Sequence, residues 1–491
     1  MGLNIDRDHF EEDDYARFSQ RLREDMRALA ELLSRERFGV GAPSLGAELE
    51  MSMVGATCRP RPINERVLAD TCDPRFTVEL NRFNLECNTL PIELARTPFF
   101  SLGKQLEECL TRLRAIARAH DARIALTGIL PTLTAEDLGS SAMTNLPRYR
   151  ALSTGIRRLR REPFHVRIDG EDPLDIHCDD VTYEGANTSL QIHLRVNPSE
   201  FAAVYNAVQL ATAPALAVSG NSPTFLGHRL WEETRVALFK QAVDDRPPNH
   251  GPRRGVPRVC FGLGWLKRGA LELFEESVEL HEPLLPVMTD EDPVAVTRAG
   301  GIPLLGELRL HQGTVWRWNR AVYDPAEGGH LRIEMRALPS GPTVADMMAS
   351  AAFLVGLALE LSRSPALLDP VPFEVAECNF YRAAQHGFAA ELLWPQGKGL
   401  LAIGARELVH DLLPVAQRGL LHAEIDAGEG ERLLEIIERR ASTAQTGAQW
   451  QRSRLAALEY KLGRKEALAR MLGEYLDHSE LGAPVHTWPI P

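Results

Sequence analysis

Phe10, Tyr15, Phe18, Leu22, Met26, Leu29 and Leu33 recur at helical spacing among many charges, so the first forty residues predict one amphipathic helix, stopped by Gly39, Gly41 and Pro43. Period two then takes over across 45–90. A helix is predicted over 101–120 and a strand over 123–129. Further strands are predicted at 163–168, 189–196, 304–310 and 331–338, with helices near 199–212 and 229–243. From 343 onward nearly everything reads as helix. The most apolar run, MMASAAFLVGLALEL at 347–361, is shorter than a membrane span and is bounded by Asp346 and Glu360, which predicts a buried core helix. The segment 244–257 (DDRPPNHGPRRGVP) reads as a mobile loop, and 324–330 (DPAEGGH) as a turn between strands. With no internal repeat, the expected fold class is α+β: a mostly antiparallel sheet and a helical C-terminal third. The expected divisions are an N-terminal helix (1–40), a sheet region (41–342) and a helical region (343–491) packed on the same domain.

Four of the predicted strands carry chemistry on one side and hydrocarbon on the other. In 45–54, Glu48, Glu50 and Ser52 oppose Leu49, Met51 and Met53. In 84–89, Asn84, Glu86 and Asn88 oppose Leu85 and Cys87. In 189–196, Ser189, Gln191, His193 and Arg195 share a face, and in 331–337 so do Arg332, Glu334 and Arg336. Any one such strand is equally the solvated face of a half-exposed sheet. Together they place Glu48, Glu50, Glu86, His193 and Glu334, all ligand types accepted by Mg²⁺ or Mn²⁺, beside two arginines suited to phosphate oxygens. Carboxylates on adjacent strands repel unless a divalent cation lies between them.

Charge narrows the classes. The balance of 55 Lys+Arg against 67 Asp+Glu, net −12, speaks against a protein that coats nucleic acid or anionic membrane. Seven widely spaced cysteines with no CxxC pair give neither a disulfide framework nor a zinc ribbon, and the polar, acidic start is unlike a signal peptide; a reducing cytoplasmic setting is expected. Walker A, GxGxxG, HExxH, GxSxG and EF-hand patterns are absent, so any use of ATP proceeds without a P-loop. The arginine run at 147–162 is read as a solvated helix face, Cys87 as core, and Trp316 and Trp318 as either an adenine stack or packing beneath helices.

The segments GAELEMSMV (46–54), NRFNLECNTLP (81–91), NTSLQIHLRV (187–196), AVSGNSP (217–223), HQGTVW (311–316), LRIEMRALPS (331–340) and NFYRAAQHGF (379–388) together resemble the bacterial glutamate-cysteine ligase family 2, in the family's order, over roughly 45–390. The resemblance implies a curved, glutamine-synthetase-like antiparallel sheet whose concave face holds ATP and metal ions. It implies a carboxylate-amine ligase, in which ATP converts a substrate γ-carboxylate to an acyl phosphate that an amine then attacks. Matched position by position, Glu48, Glu50, Glu86, His193 and Glu334 would bind Mg²⁺ or Mn²⁺, with Arg336 and Arg332 on the phosphoryl group. Asn221, Ser222 and Arg235 fall in matching segments and are expected to contact nucleotide or substrate.

The expected substrates are glutamate or a similar carboxylate and an amino-acid or amine acceptor, as in glutathione-like thiol biosynthesis, with no nucleic-acid or membrane partner and homo-oligomerisation left open. The N-terminal helix, the 244–258 insertion and the tail including TGAQWQRSR (446–454) exceed the smaller family members. Either of the last two would serve as a lid that keeps water from the acyl phosphate. Two alternatives stand beside the ligase: a guanidino-kinase-like phosphotransferase, and a nucleotide or amino-acid sensor without turnover.

Overall fold

A computed structural model describes residues 5–247, 255–397 and 399–490. The spine of the fold is β1 (Ser44–Val54), joined by β2 (Phe76–Val78), β3 (Asn84–Asn88), β4 (Ile92–Glu93) and β5 (Arg123–Ala125). After a separate hairpin, β6 (Phe164–Ile168) and β7 (Leu174–Cys178), the chain returns to the sheet with β8 (Leu190–Val196). A short hairpin, β9 (Thr224–Phe225) and β10 (His228–Arg229), precedes the last two sheet strands, β11 (Asn319–Asp324) and β12 (His330–Met335). The eight-stranded sheet runs β11-β12-β8-β1-β3-β2, with β4 and β5 also on β1. Every pairing is antiparallel, and the sheet curls into a half-barrel.

Alternation sets the register. Leu45, Ala47, Leu49, Met51 and Met53 are fully buried on one side of β1, and Leu49 is flanked by Cys87 on β3 and Leu190 on β8. Burying each large apolar side chain is worth roughly 1.5–3 kcal/mol, against at most about 1 kcal/mol for a cross-strand polar pair. The apolar face therefore dictates the pairing, and a slip of one residue would turn it to the open side. It is covered in part by the helix Pro98–Ala119.

The C-terminal third packs around Val344–Ser362, a helix buried on nearly all sides and contacted by Pro98–Ala119, Phe201–Ala217, Ala405–His422 and Ala427–Thr443. By length and composition it is the one helix among the described residues able to cross a membrane, yet 83% of that stretch is buried inside the protein. Thr343 caps its start by accepting the Asp346 amide, and Asp346 pairs with buried Arg440 at 2.8 Å. The predicted amphipathic helix is Glu12–Leu33, tied to the arginine-rich helix Pro147–Leu159 by Arg158, which pairs with Glu12 and lies 3.8 Å from the Tyr15 ring centroid.

Three expectations are corrected. Residues 304–310 form no strand: Gly306–Gln312 is helical, with Leu305 and Leu308 buried at a spacing of three while Leu304 is exposed. The helical tail is interrupted by a hairpin, β13 (Glu391–Gln396) and β14 (Gly399–Gly404), in which Leu392 and Trp394 alternate inward. The strand predicted over 123–129 stops at Ala125, whereas the one predicted at 163–168 forms as β6, paired with β7 apart from the main sheet. Of the predicted mobile loop, residues 248–254 lie outside the described residues. Trp316 and Trp318 are buried against Phe239, and Trp318 also against Phe380, which is packing beneath helices.

Candidate functional site

The open face of the sheet collects the polar positions of its central strands. On β1, Glu48 stands opposite Gln191 of β8 and Asn88 of β3, and Glu50 stands opposite Glu86. On the other side of β8, His193 is opposite Glu334 of β12, which in turn faces Arg320 of β11. Gln191 bridges the two halves: its Nε2 donates to Glu50 Oε1 at 2.8 Å, and its Oε1 accepts from Arg336 Nη1 at 2.5 Å. Glu50 Oε2 accepts from the Ser189 amide at 2.7 Å and its hydroxyl at 3.0 Å. Glu86 accepts from Asn88 Nδ2 at 2.6 Å and Thr77 Oγ1 at 3.3 Å.

The two halves differ in charge. Burial works to raise the Glu334 carboxyl, but Arg320, 2.8 Å away, and Arg336, also in direct contact, hold it well below the usual carboxylate range. Glu48 is likewise raised by burial and more than offset by His193, ending at about 2. In the other half burial prevails. It pushes Glu86 up to about 7, helped by Glu48 and Glu50, and raises Glu79 further with Glu86 and Glu50 as neighbours. Glu50 is raised by burial despite the opposing Arg336. Glu184, in the turn Val181–Ala186, is pushed up to about 8 by burial and by Glu50. This half is a set of acids without enough positive charge.

These residues fit divalent cations. Carboxylate oxygens of Glu50, Glu79 and Glu86 all lie within 4.8 Å of one another, a hard-oxygen set of the kind Mg²⁺ and Mn²⁺ accept. His193 is buried, and neither of its ring nitrogens has a hydrogen-bond partner; Nε2 approaches Glu48 Oε1 at 3.1 Å without hydrogen-bond geometry. A buried imidazole left this way is short of a partner on both sides. Glu79 and Glu184 were not among the residues expected from sequence. Glu79 was within reach of the same reasoning, since Thr77 and Glu79 alternate with Phe76, Val78 and Leu80; Glu184 lies in a turn, where no periodicity points to a face.

The structure brings Glu48, Glu50, Glu86, His193, Glu334 and Arg336 onto one face. Arg332 shares it but stands at the rim opposite Arg195, paired with Asp324 at 3.2 Å. Asn221, Ser222 and Arg235, expected to contact nucleotide or substrate, are all buried and engaged within the protein. Asn221 Nδ2 donates to the Ser340 carbonyl at 2.7 Å, Ser222 Oγ to Glu233 Oε1 at 2.9 Å, and Arg235 Nε to the same oxygen at 2.9 Å. Arg235 also donates to the Arg336 carbonyl at 3.2 Å, so this network anchors the chain just beyond β12 from behind. The 446–454 segment is anchored too, with Trp450 and Gln451 buried and Gln451 Nε2 donating to Asn221 Oδ1 at 3.0 Å.

The sheet is thus a curled antiparallel half-barrel with carboxylates, a histidine and arginines on its open face. The model of glutamate-cysteine ligase family 2 matches residues 44–474, and the chain belongs to that family of ATP-dependent carboxylate-amine ligases. Among solved structures, the glutamate-cysteine ligase of Francisella tularensis in complex with AMP superposes with a TM-score of 0.55 at 12% identity, covering 92% of this chain and 91% of that one. The bifunctional glutathione synthetase of Pasteurella multocida gives 0.45 at 12% identity, over 93% of this chain and 54% of that one. No curated protein sequence matches the chain.

Proposed function

We propose that the chain joins the γ-carboxylate of glutamate, or a similar carboxylate, to the amine of an amino-acid acceptor such as cysteine, with ATP as phosphoryl donor and an acyl phosphate between the two half-reactions. The observation that carries the reading is the convergence of Glu50, Glu79 and Glu86 oxygens within 4.8 Å on the open face. Divalent cations held by Glu48, Glu50, Glu86, His193 and Glu334, with Glu79 as a further donor, would neutralise the phosphate oxygens of ATP. Arg336 donates from Nη1 to Gln191 and Glu334 and is thereby fixed beside the acids, where its remaining guanidinium edge would meet the transferring phosphoryl oxygens. The Ser189 and Gln191 hydrogen bonds immobilise Glu50, so that positioning precedes substrate binding.

A matrix of carboxylates and amines, assayed with Mg²⁺ and ATP for ADP and for product mass, tests the reading, glutamate with cysteine first. ADP release that requires both substrates, with a product heavier by their sum less water, is expected. Phosphorylated product without an amine would instead make the protein a phosphotransferase. Tight ATP binding with no ADP across the matrix would make it a sensor.

A further inference from the structure

Away from the sheet, the hairpin β6–β7 carries three donors on its outer face. His165 and His177 stand directly opposite in the register, and Asp175 is two residues before His177 on the same strand, hence on the same face. The two imidazoles are parallel, with ring centroids 4.5 Å apart and an interplanar angle of 1°. Asp175 Oδ1 lies 2.7 Å from His165 Nε2, and one donor atom from each of the three residues falls within 4.8 Å of the others. All three side chains are exposed, while Phe164, Val166, Ile168, Leu174 and Cys178 turn inward and hold the hairpin rigid beneath them.

We propose that His165, Asp175 and His177 form a binding site for a divalent transition-metal ion of the Zn²⁺, Co²⁺ or Ni²⁺ class. Two imidazole nitrogens and one carboxylate oxygen are the donor set such borderline-soft ions prefer, and a hard cation such as Mg²⁺ is poorly served by it. Around an ion with bonds of about 2.0–2.2 Å, tetrahedral ligands stand roughly 3.3–3.6 Å apart, so donors at the 4.8 Å limit need to close by roughly 1.2–1.5 Å and the 2.7 Å His165–Asp175 contact needs to open, rotations available to exposed side chains. Water completes the shell. The solvated-face alternative leaves two stacked imidazoles that repel whenever both are protonated, with a single carboxylate to offset them; a metal ion would draw the rings out of the parallel stack, tilting them until their in-plane lone pairs converge. Arg167, opposite Asp175 in the register, points its charge to Asp169 at 3.8 Å.

This site is independent of the acids on the sheet, and the two are separable by metal class. The full-length protein, stripped with a chelator, is titrated with Co²⁺ alone while its visible absorption is followed, and Zn²⁺ is then added. A Co²⁺ band displaced by Zn²⁺ but not by Mg²⁺ is expected in the wild type and in Glu86→Gln. Loss of the band in His165→Ala/His177→Ala is expected, with at least about ten-fold weaker binding in Asp175→Asn. The double variant should unfold at the wild-type temperature without metal and release ADP at the wild-type rate. No Co²⁺ band in the wild type, or an equal band in the double variant, overturns the site.

Discussion

Glu50 and Glu86 are direct cross-strand partners on adjacent antiparallel strands, two carboxylates facing each other where an ordinary sheet would place opposite charges or apolar groups. Such a pair is destabilising by roughly 0.2–1 kcal/mol even on an exposed sheet. Its presence beside Glu79 and Glu184, both of them also raised in pKa by burial, is the cost in stability that the proposed cation site would carry. Glu86→Gln is therefore expected to make the metal-free protein more resistant to heat while abolishing Mg²⁺-dependent ADP release. Thermal unfolding and an ADP assay on the same preparation check both halves. A less stable variant with normal turnover would remove Glu86 from the site.

Metal addition should reverse the ranking. A cation that binds only the folded state stabilises it by about 2.7 kcal/mol at a hundred times its dissociation constant. Mg²⁺ or Mn²⁺ is thus expected to raise the unfolding temperature of the wild type, and to leave Glu50→Ala and Glu334→Ala, which also lose ADP release, close to their metal-free values. Chelator should return the wild type to its starting point. A metal-induced rise of equal size in all three proteins would place the cation elsewhere.

Much of this face was legible from period-two alternation because the hydrocarbon side of each strand is so uniform. With Leu49, Cys87 and Leu190 in one buried row, Glu48, Glu50, Glu86 and Gln191 had no other side to occupy. Glu184 was not legible, since it reaches the site from a turn whose course depends on tertiary packing. Asn221, Ser222 and Arg235 were read as contacts because their segments match the family; what sequence could not show is that buried Glu233 engages Ser222 and Arg235, and that Tyr475 and the Ser340 carbonyl engage Asn221. The Gly306–Gln312 helix misled because its leucines at 308 and 310, with Leu304 just before it, fit a strand as well as a helix.

The pH dependence of stability should have two limbs of opposite sign. Glu86, raised in the folded protein to about 7, binds its proton more tightly when folded, so its contribution is present below the unfolded pKa near 4.5 and is lost as pH rises toward 7. Glu48, lowered to about 2, contributes above the unfolded value and loses that contribution as pH falls through 4.5 toward 2. The metal-free protein is therefore expected to be most stable in mildly acidic solution and to weaken in both directions. Denaturant unfolding at a series of pH values, repeated with Glu86→Gln, checks this: the variant should show a shallower decline between about pH 5 and 7, the part owed to the likewise raised Glu50, Glu79 and Glu184 remaining, and keep the acid limb.

Arg235 offers the sharpest separation between holding the site and contacting a ligand. Its guanidinium pairs with Glu233, a carboxylate with no solvent exposure, and donates to the carbonyls of Arg336 and Ala337 just beyond β12. Removing one partner of a buried pair leaves an uncompensated charge, which costs about 3–5 kcal/mol. Arg235→Met is expected to lose stability on that scale and to recover much of it when Glu233 is changed to Gln in the same chain, because the orphaned carboxylate is then gone. Denaturant unfolding of the two single variants and the double gives the coupling directly. Were Arg235 instead a ligand contact, Arg235→Met would unfold like the wild type, raise the KM for ATP or for the carboxylate, and gain nothing from Glu233→Gln.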